Sequence, residues 1–233
     1  MTTTIEELVP AATPRLPITA SALLRLETYA KLCPRHEIFG FLLSNPGGDV
    51  VDGVLLASEQ QATMASVEIS AEAVLRAGAE AGQAGKIVIG WWHSHADLPP
   101  FSSPTDDTQL LELADQLVLL NVRTRPHEIP GIGVVSARFS QTYSLVVNAR
   151  SIAPEGSNDR PFGKVCTKSW CPCCGREEIV SEEAPVIVVP DVLDEAALRA
   201  ELSSKVRVVD PFRVNGTLFR RLFGGIGAGG GGS

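Results

Sequence analysis

Nowhere does this sequence hold the roughly eighteen uninterrupted apolar residues of a membrane span. Its opening stretch, Met1-Thr2-Thr3-Thr4-Ile5-Glu6-Glu7, has no basic region of the kind that begins a secretory leader, so a cytoplasmic location is expected. Positive charge is also short. The 20 Lys and Arg face 27 Asp and Glu, leaving a formal net charge of −7 and a pI near 5.2, so a free polyanion would be repelled. Arg123, Arg125 and the pair Arg220-Arg221 are too sparse to make a basic patch; neither nucleic acid nor a membrane is expected as a partner. Histidine is scarce, with 4 in the chain, which makes each position informative. What is present, 233 residues at 44% hydrophobic and a mean hydropathy of +0.12, can bury a full core and leaves room for one domain plus an appendage.

Two of the histidines flank a single serine, as His93-Ser94-His95, directly after the apolar run Ile87-Val88-Ile89-Gly90-Trp91-Trp92. That run predicts a buried strand, and residues two apart on a strand share a face with Cα atoms roughly 6.5–7 Å apart. Both imidazoles can then converge on one ion at Zn–N distances of about 2.0–2.1 Å. Asp106 can supply a third ligand, because Ala96 to Pro104 is a turn-rich loop able to fold back over the strand end. Ser103-Pro104-Thr105-Asp106 also reads as a helix start, with Ser as cap and Pro at the first helical position, ahead of Leu110, Leu111, Leu113, Ala114 and Leu117. The two readings are compatible, since a cap fixes the backbone from which Asp106 projects. Two histidines and one carboxylate leave a fourth position for water, the arrangement of a catalytic zinc. Hydrolysis also needs a base, and Glu37, which opens the apolar stretch Ile38-Phe39-Gly40-Phe41-Leu42-Leu43 after Pro34, is the leading candidate; its bland alternative is an exposed acid at a strand start.

Glu37, the pattern His-x-His-x7-Ser-x2-Asp, and the flanking Gly90-Trp91-Trp92 and Pro100-Phe101-Ser102 resemble the JAMM/MPN+ zinc metalloproteases, the family of zinc-dependent deubiquitinases and their prokaryotic relatives. The resemblance spans roughly residues 16 to 150. It implies an α/β fold of the MPN, cytidine-deaminase-like kind, a mixed sheet flanked by helices. It further implies zinc at His93, His95 and Asp106, Glu37 as general acid and base, and Ser103 as a stabiliser of the oxyanion. Relatives often carry proline after the second histidine, where this chain has Ala96. The large insertions that shape substrate preference in some members are absent, because the connections here are short.

Along the chain, residues 1–15 read as a flexible lead. Thr19-Ala20-Ser21 opens a helix carrying Leu23, Leu24, Leu26, Tyr29 and Leu32, with Cys33 as a small core residue. Strands are expected at 37–43 and 50–57 around the Asn45-Pro46-Gly47-Gly48 turn, and a helix at 70–83 capped by Ser70. The metal-bearing strand is followed by a helix at 105–116 and short strands at 117–122, 132–138 and 142–149. The stretch from Arg123 to Gly131 reads as a loop, with His127 at the surface.

Residues 151–223 read as a small Cys-containing C-terminal appendage of unknown role after the polar linker Ala153 to Asp159. Cys171-Pro172-Cys173-Cys174-Gly175 resembles one zinc knuckle, where a closed structural site usually needs two. With Cys166, the four thiols would make a compact cluster for a second, structural ion, but so many ligands in nine residues would strain the backbone. Free or redox-active thiols are therefore preferred over bound zinc, and zinc over a disulfide. A strand at 186–189, a helix at 193–202 and a strand at 206–209 are expected to form a small docking module. Residues 224–233 form a Gly-rich tail or linker. Arg220-Arg221-Leu222-Phe223-Gly224-Gly225 is faintly similar to the di-glycine ending of ubiquitin-like proteins.

The expected activity is that of a zinc isopeptidase or peptidase acting after the C-terminal glycine of a ubiquitin-like or sulfur-carrier protein, with that protein and its activating and conjugating enzymes as partners. Hydrolysis of small aminoacyl adducts on a sulfur carrier would use the same site. A non-catalytic MPN scaffold is the alternative from another class.

Overall fold

The computed structural model describes residues 14–64, 66–117, 121–129, 131–150, 159–191, 200–201 and 204–208. Three helices, α1 (Ala20–Leu32), α2 (Ala71–Gln83) and α3 (Pro104–Leu117), surround a mixed sheet. Its members are β2 (Phe39–Ser44), β3 (Gly53–Leu56), β6 (Ile87–Ser94), β7 (Arg123–Ile129), β8 (Gly133–Val147), β9 (Phe162–Trp170) and β10 (Glu177–Glu183). The order is β10-β9-β8-β6-β2-β3, with β7 also paired to β8. Two small sheets flank it: β1 (Leu16–Thr19) with β11 (Val186–Val189), and β4 (Gln60–Ala62) between β5 (Val67–Glu68) and β12 (Val206–Val208). The expected α/β architecture is the one found. Among the described residues no helix is long and apolar enough to cross a membrane.

Strand β6 lies at the centre and is covered on both faces, which is why it reads as a continuous apolar run. Trp92 is fully buried on one face and stacks on Tyr29 of α1, ring centroids 5.9 Å apart. Trp91, on the other face, packs with Phe41, Leu43 and Leu55 against Ala77 and Ala81 of α2 and Leu113 of α3. Gly90 is required where β6 runs parallel to β8, since a Cβ there would overlap the Tyr143 carbonyl. The helix starts follow their sequence signals: Thr19 Oγ1 accepts the Ala22 N–H and Ser70 Oγ the Ala73 N–H. Cys33 is buried in the core as expected.

Three expectations need revision. Residues 123–129 form a strand rather than a loop, antiparallel to β8, and His127 within it is 6% exposed, not a surface residue. The expected strands at 132–138 and 142–149 are one, because β8 continues through Gln141 while changing partners, from β7 along its first half to β6 along its second. Leu117 ends α3, and residues 121 and 122 lie outside any strand. The Cys-bearing region adds to the main sheet: β9 pairs with β8 from Phe162 to Trp170, and β10 follows at the edge. The helix expected at 193–202 lies mostly outside the described residues, with Ala200 and Glu201 helical; Arg220 to Gly225 and the tail lie wholly outside them.

Helix α1 also buries an acid. Glu27 is 3% exposed, one of its carboxylate oxygens has no hydrogen-bond partner, and burial raises its pKa to about 7 despite the opposing charge of Lys31. A raised carboxyl pKa favours the folded chain below the unfolded value of 4.5, and that contribution is lost as pH rises through about 7. Thermal unfolding should therefore show stability declining between those limits, by on the order of 3 kcal/mol from this group. Glu27→Gln should remove that share of the slope; an unaltered pH profile would contradict it.

Candidate metal centre

The site is assembled at the C-terminal end of β6. His93 pairs in register with Phe39 of β2 and Val146 of β8, while His95, just past the strand, is held by its N–H to the Val147 carbonyl at 2.9 Å. Alternation along the strand puts both imidazoles on one face, ring centroids 4.8 Å apart, and both are about 5% exposed. Trp91 stacks on His93 and Phe101 meets His95 edge-on, so aromatic walls fix the two rings.

Asp106 comes from the first turn of α3. Ser103 and Asp106 bond reciprocally: the Ser103 N–H donates to Asp106 Oδ2 at 2.7 Å, and the Asp106 N–H donates to Ser103 Oγ at 3.2 Å. The helix-start reading and the ligand reading thus both hold. The same Oδ2 lies 3.9 Å from His93 Nε2, and one ligand atom from each of His93, His95 and Asp106 lies within 4.8 Å of the others. Ligands on tetrahedral zinc at about 2.0–2.2 Å sit roughly 3.3 Å apart, so a small contraction would complete the shell.

The surrounding chemistry suits a cation. His95 Nδ1 lies 3.0 Å from the Pro99 carbonyl, which can only accept, so this nitrogen carries the proton and Nε2 keeps its lone pair for a metal. Burial lowers the His93 pKa to about 4, partly offset by Asp106, so its ring is neutral, and its Nδ1 has no hydrogen-bond partner. These residues fit a zinc ion, which would be held by His93, His95 and Asp106.

Glu37 faces the same cleft, a cavity of about 630 Å³ whose lining also includes Phe39, Trp91, Leu98 and Ser103. Burial first and the charge of Asp106 second raise its pKa to about 7. Its backbone N–H donates to the Thr63 carbonyl at 2.7 Å. All five residues singled out in the sequence, Glu37, His93, His95, Ser103 and Asp106, line this cleft.

With this geometry established, a family model described as prokaryotic homologs of the JAB domain matches residues 19–150. The chain belongs to this family. No curated protein matches it. The solution structure of protein DSY2949 from Desulfitobacterium hafniense is similar at 14% identity, covering 76% of this chain and 94% of that one, with a TM-score of 0.45.

Three further features support the JAB site. Ser94 is fully buried on the face opposite the histidines; its Oγ accepts the Ile38 N–H at 3.0 Å and donates to the His36 carbonyl at 3.4 Å, and its own N–H reaches the Ile38 carbonyl at 2.9 Å. It grips the segment on both sides of Glu37. Its place between the ligands was the available signal. Lys164 of β9 and Ser102 both donate to Asp107 Oδ1 at 2.5 Å, tying the start of α3, and so Asp106, to a strand beyond the family match. Those two bonds, Lys164 first, hold the Asp107 carboxyl below its usual range. Ala96 has φ +44, a left-handed value that proline, confined near −65°, cannot adopt.

Ser94→Ala should destabilise the fold by about 1–3 kcal/mol through the lost buried hydrogen bonds, measured by denaturant unfolding; unchanged stability would refute their contribution. Ala96→Pro should weaken metal binding by displacing His95, whereas Ala96→Gly should raise the melting temperature by relieving the left-handed backbone. Equal metal affinity in both variants would argue against that backbone constraint.

Proposed function

We propose that this JAB-domain chain is a zinc-dependent isopeptidase or peptidase that cleaves after the C-terminal glycine of a ubiquitin-like or sulfur-carrier-like protein, releasing it from a conjugate or trimming its precursor. The observation that carries this reading is the convergence, in one cleft, of His93, His95 and Asp106 with a carboxyl of raised pKa, Glu37. His93, His95 and Asp106 would hold the zinc, which when bound would supply Lewis acidity for a carbonyl and make a water easier to deprotonate. Glu37, poised near neutrality, takes the proton of the attacking water and delivers it to the leaving amine. Ser103 Oγ accepts the Asp106 N–H, so its own proton remains available to the carbonyl oxygen as negative charge develops. Trp91, Leu98 and Phe101 give the cleft an apolar lining.

A di-glycine segment suits this cleft because side-chain-free backbone can lie extended between close walls. The partners on this reading are the ubiquitin-like or sulfur-carrier protein and the enzymes that activate and conjugate it, in the cytoplasm.

Incubation with di-glycine-linked conjugates, with and without chelator, tests the proposal. Cleavage should require metal, and Glu37→Gln should lower the rate by about 10²–10⁴-fold with bound zinc retained. Because the base must be ionised, the acid limb of the rate should rise with pH, with its midpoint at or below about 7, since the zinc charge lowers the Glu37 pKa. Zinc-loaded protein that cleaves no such substrate would overturn the reading. Release of free amino acid from a carrier protein would redirect it to adduct hydrolysis, and inactivity on both would leave a scaffold.

A further inference from the structure

The β9–β10 hairpin ends in a tip that the cleft does not use. Trp170 pairs with Glu177, and the six residues between them, Cys171 to Arg176, close the turn with the Cys171 N–H donating to the Arg176 carbonyl at 2.9 Å and the Gly175 N–H to the Cys171 carbonyl at 2.8 Å. Gly175 makes the turn possible at φ +70. The result gathers three thiols: one sulfur each from Cys171, Cys173 and Cys174, all within 4.8 Å of one another. The Cys171 and Cys173 sulfurs are in direct contact at 2.7 Å. So short a run can offer three ligands because the tight hairpin turn brings their sulfurs together.

Cys166 does not join them. It lies on β9 and is fully buried against Leu110 and Ala114 of α3, where it serves the core. Among the described residues no histidine, aspartate, glutamate or further cysteine completes the group. Glu177, the nearest acid in sequence, is engaged by Trp170 and Lys168. Cys173 and Cys174 are exposed, so the unfilled side faces solvent.

We propose that Cys171, Cys173 and Cys174 form a second metal site, separate from the cleft, which binds a thiophilic divalent ion of the zinc class through three thiolates and leaves its fourth position open to an exchangeable ligand from solution. Zinc–sulfur bonds of about 2.3 Å space the sulfurs roughly 3.8 Å apart; all three already lie within 4.8 Å of one another, and Cys171 and Cys173, at 2.7 Å, would separate by about 1 Å on binding. Binding releases the thiol protons to solvent. Soft ligands select this class of ion over magnesium or calcium, and the missing fourth ligand makes the ion more exchangeable than in a closed four-cysteine site.

Cobalt(II) is the discriminating probe, since sulfur ligation produces a near-ultraviolet charge-transfer band that the His93, His95 and Asp106 site, having no sulfur, cannot give. Titrating the full, reduced, metal-free chain with cobalt should produce this band. Cys171→Ser or Cys174→Ser should abolish it and Cys173→Ser should weaken or shift it. Cys166→Ser, and a His93→Ala/His95→Ala chain, should keep it. Zinc content should fall by one equivalent in Cys171→Ser/Cys174→Ser, with cobalt d–d absorption from the cleft showing that this variant is folded. Absence of the band in the wild-type chain, its persistence without Cys171 and Cys174, or a Cys171–Cys174 disulfide that forms in place of metal binding under the same conditions would overturn the proposal.

Discussion

Strand β6 makes the site possible because it is buried on both faces and puts different chemistry on each. The face carrying His93 and His95 opens into the cleft, while Ser94, on the opposite face, bonds to the segment on either side of Glu37. One tripeptide therefore supplies two candidate ligands and positions Glu37, although Glu37 is more than fifty residues away in sequence. The anchoring is rigid because the strand is paired on both sides, to β2 and β8, and its tryptophans lock it between helices. A ligand pair on a loop would need further contacts to hold the same geometry.

The electrostatics follow from this burial. Desolvation keeps His93 neutral, and desolvation together with the charge of Asp106 holds Glu37 near neutrality. Two carboxyl groups in a partly dry cleft repel each other, and a cation relieves that repulsion. The same arrangement that makes the metal-free cleft unfavourable makes it receptive to a divalent ion. The reciprocal bonds between Ser103 and Asp106 add to this by fixing the Asp106 carboxylate beside the histidines.

The region beyond residue 150 is physically part of this arrangement. Lys164 on β9 fixes the start of α3 through Asp107, and β9 shields the second half of β8, which in turn supports β6. The family match ends at residue 150, yet the sheet that holds the ligands does not.

The candidate site was legible in sequence because its signals are local: strand alternation carries the histidine pair, and a helix cap carries Asp106. The helix starts at Thr19 and Ser70 were legible for the same reason, as was the burial of the Ile87–Trp92 run. Long-range pairing was not legible. Residues 123–129 carry Pro126 and several charges, so they read as a loop, yet pairing to β8 makes them a strand and buries His127. Likewise, spacing alone grouped Cys166 with the other thiols, but the pleat of β9 turns it under α3 while the hairpin tip collects Cys171, Cys173 and Cys174. By itself, then, the sequence determined which residues could bind metal and in what local conformation they sit. Only the tertiary structure decided that Ser94 places Glu37, that β9 holds Asp106 in position, and which thiols meet, because those outcomes depend on strands paired across many residues of chain.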